Sequence, residues 1–424
     1  MKGDLVTLDV TKPAVGGRML ARHQGQVVLV WGAIPGERVR ARIERHGKGV
    51  LFAETVEVLS ASADRREAAG DWRCGGNVFA HVSYPRQLQL KGEIIRDAFA
   101  RIGRLPLSET PDVTGSPEHG YRMRARLHVR GQRIGFVREC THELCAVGPT
   151  QQMVPSTVAW IEAAEGWLRG TGARGLTSIE LAENIAASER VAHLELEPGS
   201  DAATFTGVAA GGLTGLSAQV LDRRSVQQVS GDPSVSDVLL VKPGDPASSV
   251  RLQRGARAFF QANRFLLDTL VQRVVALVDE APVIDLYAGV GLFGLSLAAA
   301  GLRDVTVVEG DPASSHDLEA NAVPFLDRVR VVRSSVEDFL AELPSAFEGT
   351  VIVDPPRTGM SKAALAGVIH LSPRRIVYVS CDVATLARDS RLLVDAGYTL
   401  DHVSGIDLFP NTAHVEALCT FHHL

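Results

Sequence analysis

Apolar and polar positions alternate with a period of two at the start of the chain, and the period changes before its end. Within residues 1–58, DLVTLDV, QVVLVWGAIPGERVRARI and FAETVEVL put apolar side chains on one face of extended backbone, with Gly and Pro between them. This pattern predicts a small antiparallel β-barrel. Residues 61–71, SASADRREAAG, read as a linker. SYPRQLQLKGEIIRDAFARIGRL then sets Leu90, Ile94, Ile95, Ala98, Phe99 and Ile102 at helical spacing, which predicts an amphipathic helix beginning after Pro85. Alternation returns in YRMRARLHVRGQRIGFVREC. Residues 150–250 mix short strands and helices with Gly- and Ser-rich turns and offer little chemistry. From about residue 251, near-continuous apolar runs (PVIDLYA, DVTVVEG, RVRVVRSS, GTVIVDPP, RRIVYVSC) are separated by helical segments. Such runs are the mark of a parallel sheet covered on both faces, so a doubly wound α/β fold is expected there. The chain is thereby divided into a barrel at 1–60, an α+β part at 61–250 and a Rossmann-like part at 251–424.

Composition narrows the function. With 424 residues and 45% hydrophobic content, two or three cores are expected. A net charge of −5 excludes a polybasic nucleic-acid binder, so any such contact must come from local patches. Two are visible. Arg38, Arg40 and Arg42 fall on one face of RVRARIERHGK, with Arg45 and Lys48 following; Arg122, Arg124, Arg126, His128 and Arg130 share a face of the later strand. Each reads as a solvated strand face or as a phosphate-contacting surface. MKGDLVTLDV lacks the apolar stretch of a secretory signal, and no run is long enough to span a bilayer, so a cytoplasmic protein without membrane contact is expected. The five cysteines are scattered and odd in number, which predicts no disulfide framework. CTHELC (Cys140, His142, Cys145) has loosely metal-like spacing, and a structural or incidental role is expected for it.

The candidate chemistry lies near the C-terminus. In DLYAGVGLFGLSLA, Asp285 ends a strand, Gly289 and Gly291 form the turn, and a helix is expected from Leu292. Glycine there lets a ligand approach the backbone. Glu309 ends the next strand, where a carboxylate can accept hydrogen bonds from ribose hydroxyls. The same GVGLFG spacing suits a nicotinamide or flavin dinucleotide, so an oxidoreductase stays open at this point. Asp338, after the following strand, reads as an adenine contact or as a helix-capping charge. Asp354 stands at a strand end before two prolines that stiffen the exit, and Arg357 follows, available for a phosphate or carboxylate. Cys381 ends the run IVYVSC, at the sheet edge where α/β proteins place ligands. The positive end of a helix beginning in ATLARD would favour its thiolate, whereas Asp382 would oppose it if turned inward. Glu416 sits inside the apolar run HVEALCTF, where a carboxylate needs a partner or a task. Thiol, carboxylate and cofactor loop together suggest covalent catalysis by a transferase.

These segments resemble the RNA 5-methyluridine methyltransferases. FFQAN (Phe259 to Asn263), DLYAGVGLFGL, DPPR with Gly359, YVSCDVATLARD and DLFPNTAHVE occur in that family's order, and residues 1–60 look like its TRAM domain, an RNA-binding module of the OB-like barrel type. The resemblance implies S-adenosylmethionine as methyl donor and RNA as partner, ribosomal RNA favoured and transfer RNA possible, with the protein acting as a monomer. It implies Cys381 as nucleophile and Glu416 as base. Gln261, Asp285, Tyr287, Gly289, Gly291, Glu309, Asp338 and Asp354 would hold the cofactor, and Gln261, Pro355 and Arg357 the target base. A thiolate added to C6 of uracil makes C5 electron-rich enough to take a methyl group, and removal of the C5 proton then expels the sulfur. Departures are Asp382 and Val383 in place of Asn-Pro, Ala288 in place of Cys, Leu292 in place of Asn, and Asn411 in place of His. Many TRAM-bearing members also hold an iron–sulfur cluster. Here Cys74 matches the middle of the C-x5-C-x2-C pattern, while Ala68 and Asn77 flank it and the fourth position falls near Thr150, so no cluster is expected. A cytosine-5 methyltransferase, which also uses a cysteine, and a non-catalytic RNA-binding protein are the remaining alternatives.

Overall fold

The computed structural model describes residues 3–223 and 225–423. Strands Leu5–Pro13, Met19–His23, Gln26–Trp31, Arg38–Gly47 and Val50–Ser60 close into a barrel in the order first, second, third, fifth, fourth. The alternating residues Leu8, Val10, Met19, Val28, Val30, Val39 and Ile43 fill it. The barrel is not wholly antiparallel, because Gln26–Trp31 runs parallel to Val50–Ser60. Part of its basic strand face is already engaged: Arg38 lies 3.9 Å from Asp9, Arg40 pairs with Glu57, and the Arg45 guanidinium sits 3.5 Å from the Phe52 ring centre.

Residues 61–71 are not a loose linker. Arg65 grips the buried Glu37 with two bonds of 2.6 Å, Arg66 donates to the carbonyl of Ala80 at 2.9 Å, and Asp71 accepts from Arg138 at 2.6 Å. The amphipathic helix spans Tyr84–Ala98, and Phe99–Gly103 continues it as a wider π-helical turn that leaves Ile102 exposed. Its buried face holds Gln87 and Lys91 as well as Leu90, Ile94 and Ile95.

The central part is built on a seven-stranded sheet, in which Arg124–Arg130 pairs with Leu176–Glu183. Cross-strand acids meet the second basic face: Arg126 lies 2.6 Å from Glu195, and Arg124 lies 3.7 Å from Glu180. Strand pairing puts opposite charges side by side here, so this face is less available to phosphates than its sequence implies. Cys74 and Cys145, 71 residues apart, form a disulfide within this core, contrary to the expectation from the scattered cysteines. Residues 150–250 carry more chemistry than their sequence suggests. The buried Glu183 is bound by Arg190 at 2.5 Å and Arg264 at 2.6 Å, and Arg254 by Asp237 at 2.5 Å.

Val305–Glu309, Val283–Leu286, Thr350–Val353 and Arg375–Ser380 lie side by side in an eight-stranded sheet, parallel to one another, with Val329–Arg333 parallel at the near edge. Glu416–His423 then pairs antiparallel with Arg375–Ser380, and Tyr398–Ile406 antiparallel with Glu416–His423. Chain order reverses between Val283–Leu286 and Thr350–Val353, which is where open α/β sheets form their ligand crevice.

Candidate active site

The sequence candidates gather along one edge of this sheet. Strand Val283–Leu286 carries Asp285 near its C-terminal end, Val305–Glu309 closes on Glu309, Thr350–Val353 leads into Asp354, and Arg375–Ser380 into Cys381. Glu416 begins the antiparallel strand and so reaches the same edge from the other direction. The register pairs Ser380 with Ala417. The register ends there, so Cys381, next after Ser380, and Glu416, next before Ala417, emerge at the same end of the pair. Strand pairing thus brings a thiol and a carboxylate to the same end of the sheet, within reach of each other's charge.

The thiol is half-buried and lines a cavity of about 290 Å³ that Arg357 and His414 also line. Burial pushes Cys381 up to about 12; the charges of Glu416 and Asp354 add to the rise, and the nearby Arg357 guanidinium opposes it. The helix does not set a low thiol pKa, as its sequence position suggests. Asp382 takes up that helix end: its carboxylate accepts the amides of Ala384 at 3.0 Å and Thr385 at 2.9 Å. It is engaged as the cap of helix Val383–Asp395.

Glu416 is 2% exposed and its Oε1 has no hydrogen-bond partner among the described residues. Burial, then the charge of Asp354, raises its pKa well above the ordinary carboxylate range, with Arg357 opposing. Burial also lifts Asp354 to about 7, against a 3.2 Å hydrogen bond donated by Gln261. Gln261, Asp354, Arg357, Cys381 and Glu416 therefore act on one another. Pro355 is buried, and Arg357 is exposed and lines the cavity.

The glycine-rich loop stands at the crevice. Tyr287 and Gly289 take φ of 62° and 58° to turn the chain out of its strand. A Cβ on Gly291 would lie 2.4 Å from Leu295 Cδ1, so packing as well as its φ of 99° restricts that position to glycine. The helix starts at Gly294 and not at Leu292, because the turn runs on through Phe293. Asp285 is fully buried and holds that start, accepting the Gly294 amide at 2.8 Å; burial pushes it up to about 8. Glu309 accepts the Gly289 amide at 2.7 Å and the Asp311 amide at 2.6 Å, which fixes its carboxylate beside the loop. Asp338 is exposed in the first turn of helix Val336–Ala341, where Ser335 and Asp338 cap each other. Its capping reading is the one that its contacts satisfy.

The support of the segment before Glu416 escapes the sequence. Lys91 is buried in an ion pair with Asp407 and donates to the Phe409 carbonyl at 3.0 Å. Asn411 sits at φ 63°, accepts from Gln87 Nε2 at 2.9 Å and donates its amide to Gln87 Oε1 at 2.9 Å. Asn tolerates that left-handed conformation well, which accounts for its place in DLFPNTAHVE. The available signal was a Lys and a Gln on the apolar face of the 84–98 helix. Phe259, 54% exposed beside Arg124, is another aromatic near the loop.

An iron–sulfur cluster does not fit the residues present. Cys74 is bonded to Cys145, Asn77 gives its side-chain amide to the carbonyls of Ala69 and Asp71, and buried Thr150 bonds the Val147 carbonyl. Cys145, and not the neighbourhood of Thr150, is what reaches Cys74. The exposed Cys140 stays free.

A Rossmann-like sheet with a nucleotide-type loop, an adjoining thiol–carboxylate pair and an N-terminal barrel defines a group-transfer enzyme of the methyltransferase type. A TRAM domain matches residues 1–56, and the tRNA (Uracil-5-)-methyltransferase family matches residues 220–422. The chain is 30% identical to the 23S rRNA (uracil(1939)-C(5))-methyltransferase RlmD of Pseudomonas putida, over 98% of this chain and 93% of that one. With the protein of the same name from Pseudomonas entomophila it shares 31% identity over 97% and 92%. The tRNA (uracil-54, C5)-methyltransferase of Pyrococcus abyssi, solved with S-adenosyl-L-homocysteine, has the same fold at a TM-score of 0.77 and 23% identity, covering 98% of this chain and 99% of that one. The chain belongs to the RNA uracil-C5 methyltransferase family.

Proposed function

We propose that this protein methylates C5 of a uridine in ribosomal RNA through a transient bond between Cys381 and C6 of the ring. The observation that carries the reading is that Cys381 and Glu416 emerge at the same end of one strand pair, with Asp354 and Arg357 acting on both and Gln261 bonded to Asp354. S-adenosylmethionine would supply the methyl group as an electrophile, and Gly289 and Glu309 at the sheet crevice are the residues suited to hold it. The names of the full-length Pseudomonas relatives support a ribosomal target.

Cys381 loses its proton to solvent through the cavity that it lines, and the thiolate sulfur adds to C6. The ring electrons move toward C5 and O4, and the Gln261 amide, which donates to Asp354, would hold the developing oxyanion. C5 accepts the methyl group and becomes tetrahedral, still carrying its proton. Glu416 takes that proton, the C5–C6 double bond re-forms, and the sulfur leaves as thiolate. Glu416 must be ionised to act, and its unpartnered Oε1 is available for the task. Arg357 stabilises the thiolate both before addition and after release. Asp354, lifted by burial to about 7, ionises above that pH and then adds negative charge beside both groups. The acid–base groups are all protein side chains, and uracil must leave its stack to reach them.

Nucleoside mass analysis of RNA treated with the enzyme and methyl donor tests this. 5-Methyluridine in 23S ribosomal RNA is expected; 5-methyluridine in transfer RNA alone would move the target, and 5-methylcytosine would overturn the base assignment.

A further inference from the structure

The cavity at Cys381 is walled by the barrel as well as by the catalytic sheet. Val15, Gly16 and Trp31 come from the barrel, Glu139 from the central part, and Arg357 and His414 from the catalytic part. The barrel is pressed hard against the segment leading to Glu416. A Cβ on Gly17 would lie 2.6 Å from Ala413 Cβ and 3.3 Å from the Trp31 ring, so only glycine, here at φ 85°, allows the approach. Trp31 is held in place from behind. The Arg18 guanidinium lies 4.8 Å from its ring centre and is itself pinned at 3.1 Å by both Glu44 and the Ala53 carbonyl. An indole fixed in this way keeps one orientation.

The charges of the cavity say what fits. Glu139, Asp382 and Arg357 line it, and the carboxylates of Asp354 and Glu416 act on the thiol. A phosphate is disfavoured in such a lining and an uncharged ring is favoured. The ring that reacts must lie at Cys381, on the side of Gln261, Asp354 and Glu416, none of which lines this cavity. Trp31 lines the same cavity as the thiol, from the barrel, and is therefore in line for the next base along the strand.

We propose that Trp31 is the stacking platform for the nucleotide adjoining the target uridine, so that the barrel binds substrate inside the catalytic cavity. This rests on the RNA-methylation reading above. Base–aromatic stacking tolerates every base, so Trp31 would strengthen binding without dictating sequence.

Steady-state methylation of a short RNA hairpin tests the assignment. Trp31→Leu keeps an apolar side chain against Gly17 and Arg18 but removes the aromatic face. It should raise KM for RNA about tenfold and leave kcat nearly unchanged, and Trp31→Phe should recover most of the loss. The same RNA made abasic at either neighbour of the target uridine identifies the partner. At one of these positions the abasic change should weaken the wild type and add nothing further to Trp31→Leu. An unchanged KM in Trp31→Leu, or independent losses at both positions, would overturn the proposal. Wild-type enzyme that makes no 5-methyluridine in any RNA would instead remove the reading on which it rests.

Discussion

Replacing Lys91 by methionine should weaken the anchor of the catalytic segment. Lys91 and Asp407 are both fully buried, and the pair ties helix Tyr84–Ala98 to the loop that ends at Glu416. Removing one member of a buried pair costs about 3–5 kcal/mol, because the other charge is left without its counterion. Asp407 would keep the Tyr84 hydroxyl at 3.1 Å and the Phe409 amide at 3.1 Å, so the lower end, about 3 kcal/mol, is expected. For a cooperative unit of about 200 residues this lowers Tm by about 6–12 °C. Differential scanning calorimetry with kcat measured in parallel checks both consequences, since a loosened loop also misplaces Glu416. The double variant Lys91→Met with Asp407→Asn should lose less than the sum of the two single changes. A Tm within about 2 °C of wild type together with unchanged kcat would refute the anchoring argument.

Other consequences follow from the same geometry. Cys381→Ala should abolish methyl transfer while binding of S-adenosylhomocysteine by calorimetry persists; residual turnover would remove the sulfur from the mechanism. Asp354 raises the pKa values of both Cys381 and Glu416, so Asp354→Asn should shift the rising limb of kcat/KM to lower pH. Arg357 lowers both, so Arg357→Ala should shift it to higher pH; movement in the opposite directions would contradict the electrostatics. Replacing Cys74 and Cys145 by serine opens a crosslink that spans 71 residues, and a loss of about 4 kcal/mol in denaturant unfolding is expected under non-reducing conditions. Equal stability of the two forms would show that the bond is not made in solution.

Local features of this protein were legible in its sequence, and paired ones were not. The period of two gave the barrel, the apolar runs gave the parallel strands, and the constraint on Gly291 is written in the spacing of GVGLFG. Cys381 stood out because a strand ended there, and Glu416 because a carboxylate interrupted an apolar run. What bears on their chemistry depends on residues far away in the chain. The balance of Arg357 against Asp354 and burial, which sets the thiol, emerges only once five strands are aligned. Lys91 and Asp407, Cys74 and Cys145, and Gly17 and Ala413 are each brought together by folding, and neither member of a pair announces the other. The basic strand faces show the same limit: alternation shows which side an Arg is on, but not that Glu180 or Glu195 waits on the next strand.

Peptide mass spectrometry of Glu416→Gln after incubation with RNA and S-adenosylmethionine tests the covalent route most directly. Without the carboxylate the C5 proton stays, elimination stalls, and a methylated dihydropyrimidine should be found attached to Cys381 through its C6. An adduct on another residue, or full turnover with no adduct surviving denaturation, would contradict the account.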